Sequence, residues 1–154
     1  MTPEIEREVE HEVIPIVGIL VIKDNKVLLV KHTEKEIGVY GFPAGRIQAR
    51  ETEKQAAVRK LKNETGFVTT ENDLIEFPHN TYTAEITREE SLVLFSMKVF
   101  ICKRYNGIIM ASVKTEPEWV DVNKLSSLIL LPNIAKAIHD GVEYLKKAYE
   151  QTTN

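Results

Sequence analysis

Cysteine is almost missing from this chain: Cys102 stands alone, so no internal disulfide can staple the fold. It lies in Val99-Phe100-Ile101-Cys102, an apolar run where a thiol reads as core packing rather than as a nucleophile. A basic excess is missing too. Lys and Arg number 20 against 23 Asp and Glu, for a net charge of −3, which argues against a general nucleic-acid surface. A local pocket can still oppose that overall sign and hold one small charged ligand. Long apolar runs are also lacking: Ile14–Ile22 falls short of the ~20 residues of a bilayer-spanning helix. Before it come Glu4, Glu6, Glu8, Glu10 and Glu12, where a signal peptide would carry basic residues. These absences point to a soluble cytoplasmic protein with no membrane partner.

No repeat, low-complexity tract or linker divides the chain, so residues 1–154 read as one domain, with residues 1–12 as a solvated arm. Residues 14–22 are rich in β-branched side chains and apolar on both faces, the mark of a strand covered on both sides. A turn at Lys23-Asp24-Asn25-Lys26 and a second strand at 27–30 complete a hairpin. Residues 34–45 have loop character, with Gly38, Gly41, Pro43 and Gly45. A helix is expected from about Thr52 to Glu64, with Ala56, Ala57 and Leu61 on its inner stripe and Gly66 stopping it. Between Leu74 and Arg104, SLVLFSMKVFICK reads as a strand, and EWVD at 118–121 as another, with Asp121 capping the turn that follows. A last helix is expected to begin near Asn133 as N-cap, and Gly141 inside it costs roughly 1 kcal/mol relative to alanine. The class that follows is α/β, a sheet covered on both faces by helices.

Gly45, Glu51, Arg59, Leu61, Glu64, Gly66 and Phe67 fall at a diagnostic spacing. Over residues 45–67 the chain resembles the Nudix box: Gly, five residues, Glu, seven residues, then Arg-Glu-apolar-any-Glu-Glu-any-Gly-apolar. Tyr40-Gly41-Phe42-Pro43-Ala44-Gly45 resembles the lead-in to that box, and EPEWVDVNKL at 116–125 resembles the family's late Glu…Trp…Leu segment. The resemblance covers roughly residues 14–149. It implies an α/β/α sandwich with a mixed sheet, and hydrolysis of a nucleoside diphosphate linked to another group, with water as nucleophile and Mg2+ or Mn2+ as cofactor. A nucleotide-type small molecule is the implied partner, and dimers are common in the family.

Two positions depart from the box: Lys60 and Asn63 stand where a complete box has glutamate. Positions 60 and 64 are one helical turn apart, so the edge carries a cation, a neutral amide and one anion in place of three carboxylates. Hard magnesium wants oxygen ligands, and this edge has lost two anionic ones. The resemblance still implies Glu64, Glu51 and Arg59 as catalytic positions. It implies Glu64, Glu51, the Ala44 carbonyl and Glu116 (or Glu118) as the set around a weakened metal site. Gly45 and Gly66 are structural. Tyr40 and Phe42 are substrate-side aromatics, and Lys60 either pairs with Glu64 in the metal's place or meets a substrate phosphate. His11, His32, His79 and His139 show no ligand spacing and read as incidental, and Trp119 as packing. Two functions stay open: a pyrophosphohydrolase with attenuated activity, or a Nudix-fold module that binds a nucleotide or a partner without turnover.

Overall fold

A computed structural model describes residues 12–33, 38–88 and 90–153; the arm expected at 1–12 lies, but for Glu12, outside the described residues. The β-branched opening forms strand β1 (Val13–Leu20), and a hairpin follows from β2 (Ile22–Lys23) to β3 (Lys26–His32). Asp24 and Asn25 take the turn with φ of 49° and 64°, the left-handed values a two-residue hairpin needs and that Asp and Asn tolerate. Two short strands lie within the segment expected as loop, β4 (Val39–Gly41) and β5 (Ala44–Arg46). Their glycines and Pro43 hid them, and pairing with longer strands creates them. Helix α1 (Glu53–Thr65) is followed by β6 (Leu74–Ile75), β7 (Thr81–Arg88), β8 (Ser91–Cys102), β9 (Thr115–Asp121) and helix α2 (Ile134–Thr153).

In one sheet β1 pairs antiparallel with β5 on one side and parallel with β8 on the other; β6 and β7 then pair antiparallel with β8. In the second sheet β3 is the hub, antiparallel to β2, β4 and β9. The first sheet is thus mixed and the second antiparallel, and helices cover both sides. Alternation along the strands sends Val17, Ile19, Val21 and Leu28 into a core with Ala56, Ala57 and Leu61 of α1. The alternate residues Leu20, Val27 and Leu29 enter a second core with Ile134, Ala137 and Ile138 of α2. Cys102 is buried in the α1 core, and burial raises its thiol pKa, as its apolar setting implied.

The strand β7 is absent from the sequence reading. One face of it is exposed, so threonine and glutamate alternate with Tyr82, Ala84 and Ile86 where an apolar run would have marked a strand. Gly141 also has a structural reason. A Cβ there would collide with Leu20 Cδ2, so close packing of α2 on β1 outweighs the helix propensity lost. Asn133 precedes α2 with φ of 68°, and its side-chain amide reaches across to donate to the Thr83 carbonyl at 2.8 Å, so its side-chain N–H ties α2 to β7. Asp121 caps the turn after β9 as expected, accepting from the Asn123 amide at 2.8 Å.

Candidate active site

Helix α1 is fixed at both ends, and this sets where its side chains point. Thr52 Oγ1 accepts from the Gln55 amide at 3.1 Å while Gln55 Oε1 accepts from the Thr52 amide at 2.8 Å, a reciprocal cap. At the far end Gly66 adopts φ of 86° and donates to the Lys62 carbonyl at 2.9 Å. A Cβ on Gly66 would lie 2.5 Å from the Ile108 carbonyl oxygen, so glycine is needed for both conformation and space.

Glu51, just before the helix, is gripped by Arg59 two turns into it. Arg59 Nε donates to Oε2 at 2.7 Å and Nη2 to Oε1 at 2.9 Å, a two-pronged charge-assisted pair. The same Nη2 donates to the Arg46 carbonyl at 3.0 Å, and the Gln48 amide donates to Glu51 Oε1 at 2.9 Å. Arg59 therefore ties β5, the connecting loop and the helix into one frame. Its hydrogen bond, with that of Gln48, holds the Glu51 carboxyl down at about 2, against an ordinary 4.5. The stability this adds is complete above the ordinary value and is lost as pH falls from there toward about 2. Glu51→Gln is accordingly expected to flatten the fall of Tm between about pH 5 and about pH 2; an unchanged slope in a pH series of thermal melts would contradict the assignment.

Glu64 occupies the last turn of α1 and faces β5. Its Oε1 accepts the Ala44 amide at 2.8 Å, and its Oε2 lies 3.8 Å from Lys60 Nζ. The stem of Lys60 runs over Gly45, where a Cβ would collide with Lys60 Cε, so the box glycine makes room for the lysine. The Glu64 side chain is only 14% exposed, and burial raises its carboxyl above the usual carboxylate range, opposed by the Ala44 amide, by Lys60 and by the nearby His32. His32 shares the strand face of Leu28, toward α1. In the sequence it reads as incidental, because only strand parity and pairing bring position 32 near position 64. Asn63 is exposed on the same turn.

The remaining sequence candidates lie elsewhere. Tyr40 and Glu116 both sit opposite Lys31, on the strand face away from His32. The Tyr40 hydroxyl donates to Glu118 Oε2 at 2.8 Å, and burial together with that carboxylate pushes its pKa up to about 12. Phe42 is a core residue, 2% exposed among the side chains beneath α2, and not a surface for substrate. Trp119 packs beside Phe67 and Tyr105, with ring centroids 6.1 Å from each.

The residues present do not fit the divalent cation that the box resemblance implied. Glu51 is committed to Arg59, Glu116 lies on the other strand face, and one oxygen of Glu64 is taken by the Ala44 amide. Among the described residues no three His, Cys, Asp or Glu side chains converge as a metal set. An ammonium stands beside the one remaining box carboxylate of the edge. A divalent cation about 4 Å from an ammonium is repelled by roughly 8 kcal/mol at an effective dielectric of ~20, which cancels the attraction of one carboxylate at the same distance, so the Lys60–Glu64 pair offers it no net charge.

A loop–helix–loop with an Arg–Glu clamp, set on a mixed sheet between two helical layers, defines a Nudix fold. The chain belongs to the Nudix family, whose NUDIX domain model it matches over residues 7–141. It is 31% identical over 120 residues to an ADP-ribose pyrophosphatase of Methanocaldococcus jannaschii, covering 77% of this chain and 67% of that protein. It is 26% identical over 139 residues to the NAD-capped RNA hydrolase NudC of Vibrio atlanticus, covering 88% of this chain; the chain spans only 48% of that relative's length. In structure it is similar to a MutT NUDIX hydrolase from Burkholderia pseudomallei, with a TM-score of 0.69 at 16% identity, covering 84% of this chain and 98% of that one. The expected family and fold are thus established. No helix among the described residues is long and apolar enough to cross a membrane.

Proposed function

We propose that this protein hydrolyses, slowly, the phosphoric anhydride of a nucleoside diphosphate joined to another group. The observation that carries the reading is the intact frame around Glu64: the Glu51–Arg59 clamp, the double helix cap and the Ala44 amide hold one carboxylate at a fixed, half-buried place. Glu64 orients the attacking water, whose oxygen bonds to phosphorus as the anhydride P–O bond breaks. The products are a nucleoside monophosphate and the phosphorylated second group. Charge builds on the phosphoryl oxygens in that step, and a positioned cation lowers its barrier. The names of both curated relatives describe hydrolases, and one is an ADP-ribose pyrophosphatase, so ADP-ribose is the first compound to assay.

The second reading, a binding module without turnover, is favoured by one observation: Lys60 and Asn63 leave the edge with a single carboxylate. A panel of nucleoside diphosphate sugars, ADP-ribose and dinucleotides, assayed for release of nucleoside monophosphate, separates the two. Slow release is expected from at least one compound; binding with no release from any would establish the module instead.

A further inference from the structure

Lys60 is a cation in the site whose donors are open. Arg59 spends its fork on Glu51, while Lys98 is held by Glu76 at 2.8 Å and Glu53 at 3.2 Å. Lys60 Nζ, by contrast, is 3.8 Å from Glu64 Oε2, beyond hydrogen-bond reach, and it donates no hydrogen bond to the described residues. Its position is nonetheless restrained. The stem is seated over Gly45, the ammonium is drawn toward Glu64, and the side chain is 22% exposed. A restrained ammonium with three open donors is a preformed receptor for a phosphate oxygen, which lysine binds as a compact point charge.

We propose that Lys60 is a built-in counter-ion for the ligand's diphosphate, so that this site holds its ligand without a divalent cation. The inference rests on the nucleoside diphosphate reading for the ligand class, but not on turnover. Several features follow together. Gly45 leaves the space in which the lysine stem lies, and Glu64 aims the ammonium rather than competing for a metal. Magnesium, which binds free diphosphate in solution, then competes with Lys60 for the same oxygens.

The test is calorimetric titration of the intact protein with inorganic pyrophosphate, in EDTA and again in excess magnesium. Wild type is expected to bind in EDTA and to bind more weakly in magnesium. Lys60→Met is expected to weaken binding in EDTA by about tenfold or more, with Lys60→Arg retaining most of it. Thermal melts establish that the variants are folded, and Lys60→Gln serves in place of the methionine variant if that one is not. Binding that tightens with magnesium, no binding in EDTA, or equal affinity with Lys60 removed would each overturn the proposal. Binding in EDTA without product release from any compound defeats the hydrolase reading and leaves this one standing. Turnover that stops in EDTA along with pyrophosphate binding defeats this one and leaves hydrolysis.

Discussion

Exchanging Lys60 and Asn63 together for glutamate is expected to raise turnover in magnesium by about 100-fold. The reason lies in what the double change keeps as much as in what it adds. The Arg59–Glu51 clamp, the Thr52–Gln55 cap and the Gly66 stop are untouched, so the helix presents positions 60, 63 and 64 as before. What changes is the edge itself: the ammonium 3.8 Å from Glu64 is replaced by an anion one turn away, and a second anion joins it at position 63. Oxygen ligands of that kind are what hard divalent cations require. The same crowding of like charge destabilises the free helix by roughly 0.2–0.5 kcal/mol per pair, so the variant is expected to melt a little earlier without metal and to recover with it. A variant that stays folded yet gains neither magnesium stimulation nor turnover would show that these two positions are not what limits the site.

Glu64→Gln in the wild-type background is expected to lower turnover by two to three orders of magnitude, about the effect of removing one positioned electrostatic group from an active site. Stability should not follow. Burial holds the Glu64 carboxyl above the ordinary carboxylate range, so its ionised form costs folding free energy that is absent at low pH and felt as pH rises through the raised value. Glutamine removes that cost and still offers the Ala44 amide an oxygen acceptor. Lost turnover with a retained or raised Tm at neutral pH is therefore the expected pair of results. Early melting with unchanged turnover would make Glu64 a structural residue.

The fold was legible because its signals are local. The β-branched run of β1 and the Asp24-Asn25 turn each depend on neighbours in sequence, as does helix α1 with Gly66 beyond it. What escaped were features made by partners distant in sequence. β4 and β5 are three residues each and exist through pairing with β3 and β1; β7 is an edge strand whose polar outer face weakened its pattern. The site divides the same way. The Lys60–Glu64 pair follows from helical spacing, and the Arg59–Glu51 pair from the resemblance of the box. That His32 lies near Glu64 and that Glu116 lies on the far strand face follow from strand parity and register, and that Phe42 is core from the packing of the short link between β4 and β5, none of which one sequence discloses.

This Nudix frame carries a lysine ammonium where a divalent cation would be expected. Titrating Mn2+ into the protein and following the free ion by electron paramagnetic resonance tests it most directly. Wild type is predicted to leave the free-ion signal unchanged, and the Lys60→Glu, Asn63→Glu variant to deplete it. Depletion by wild type that disappears in Glu64→Gln would show that Glu64 holds a divalent cation despite Lys60.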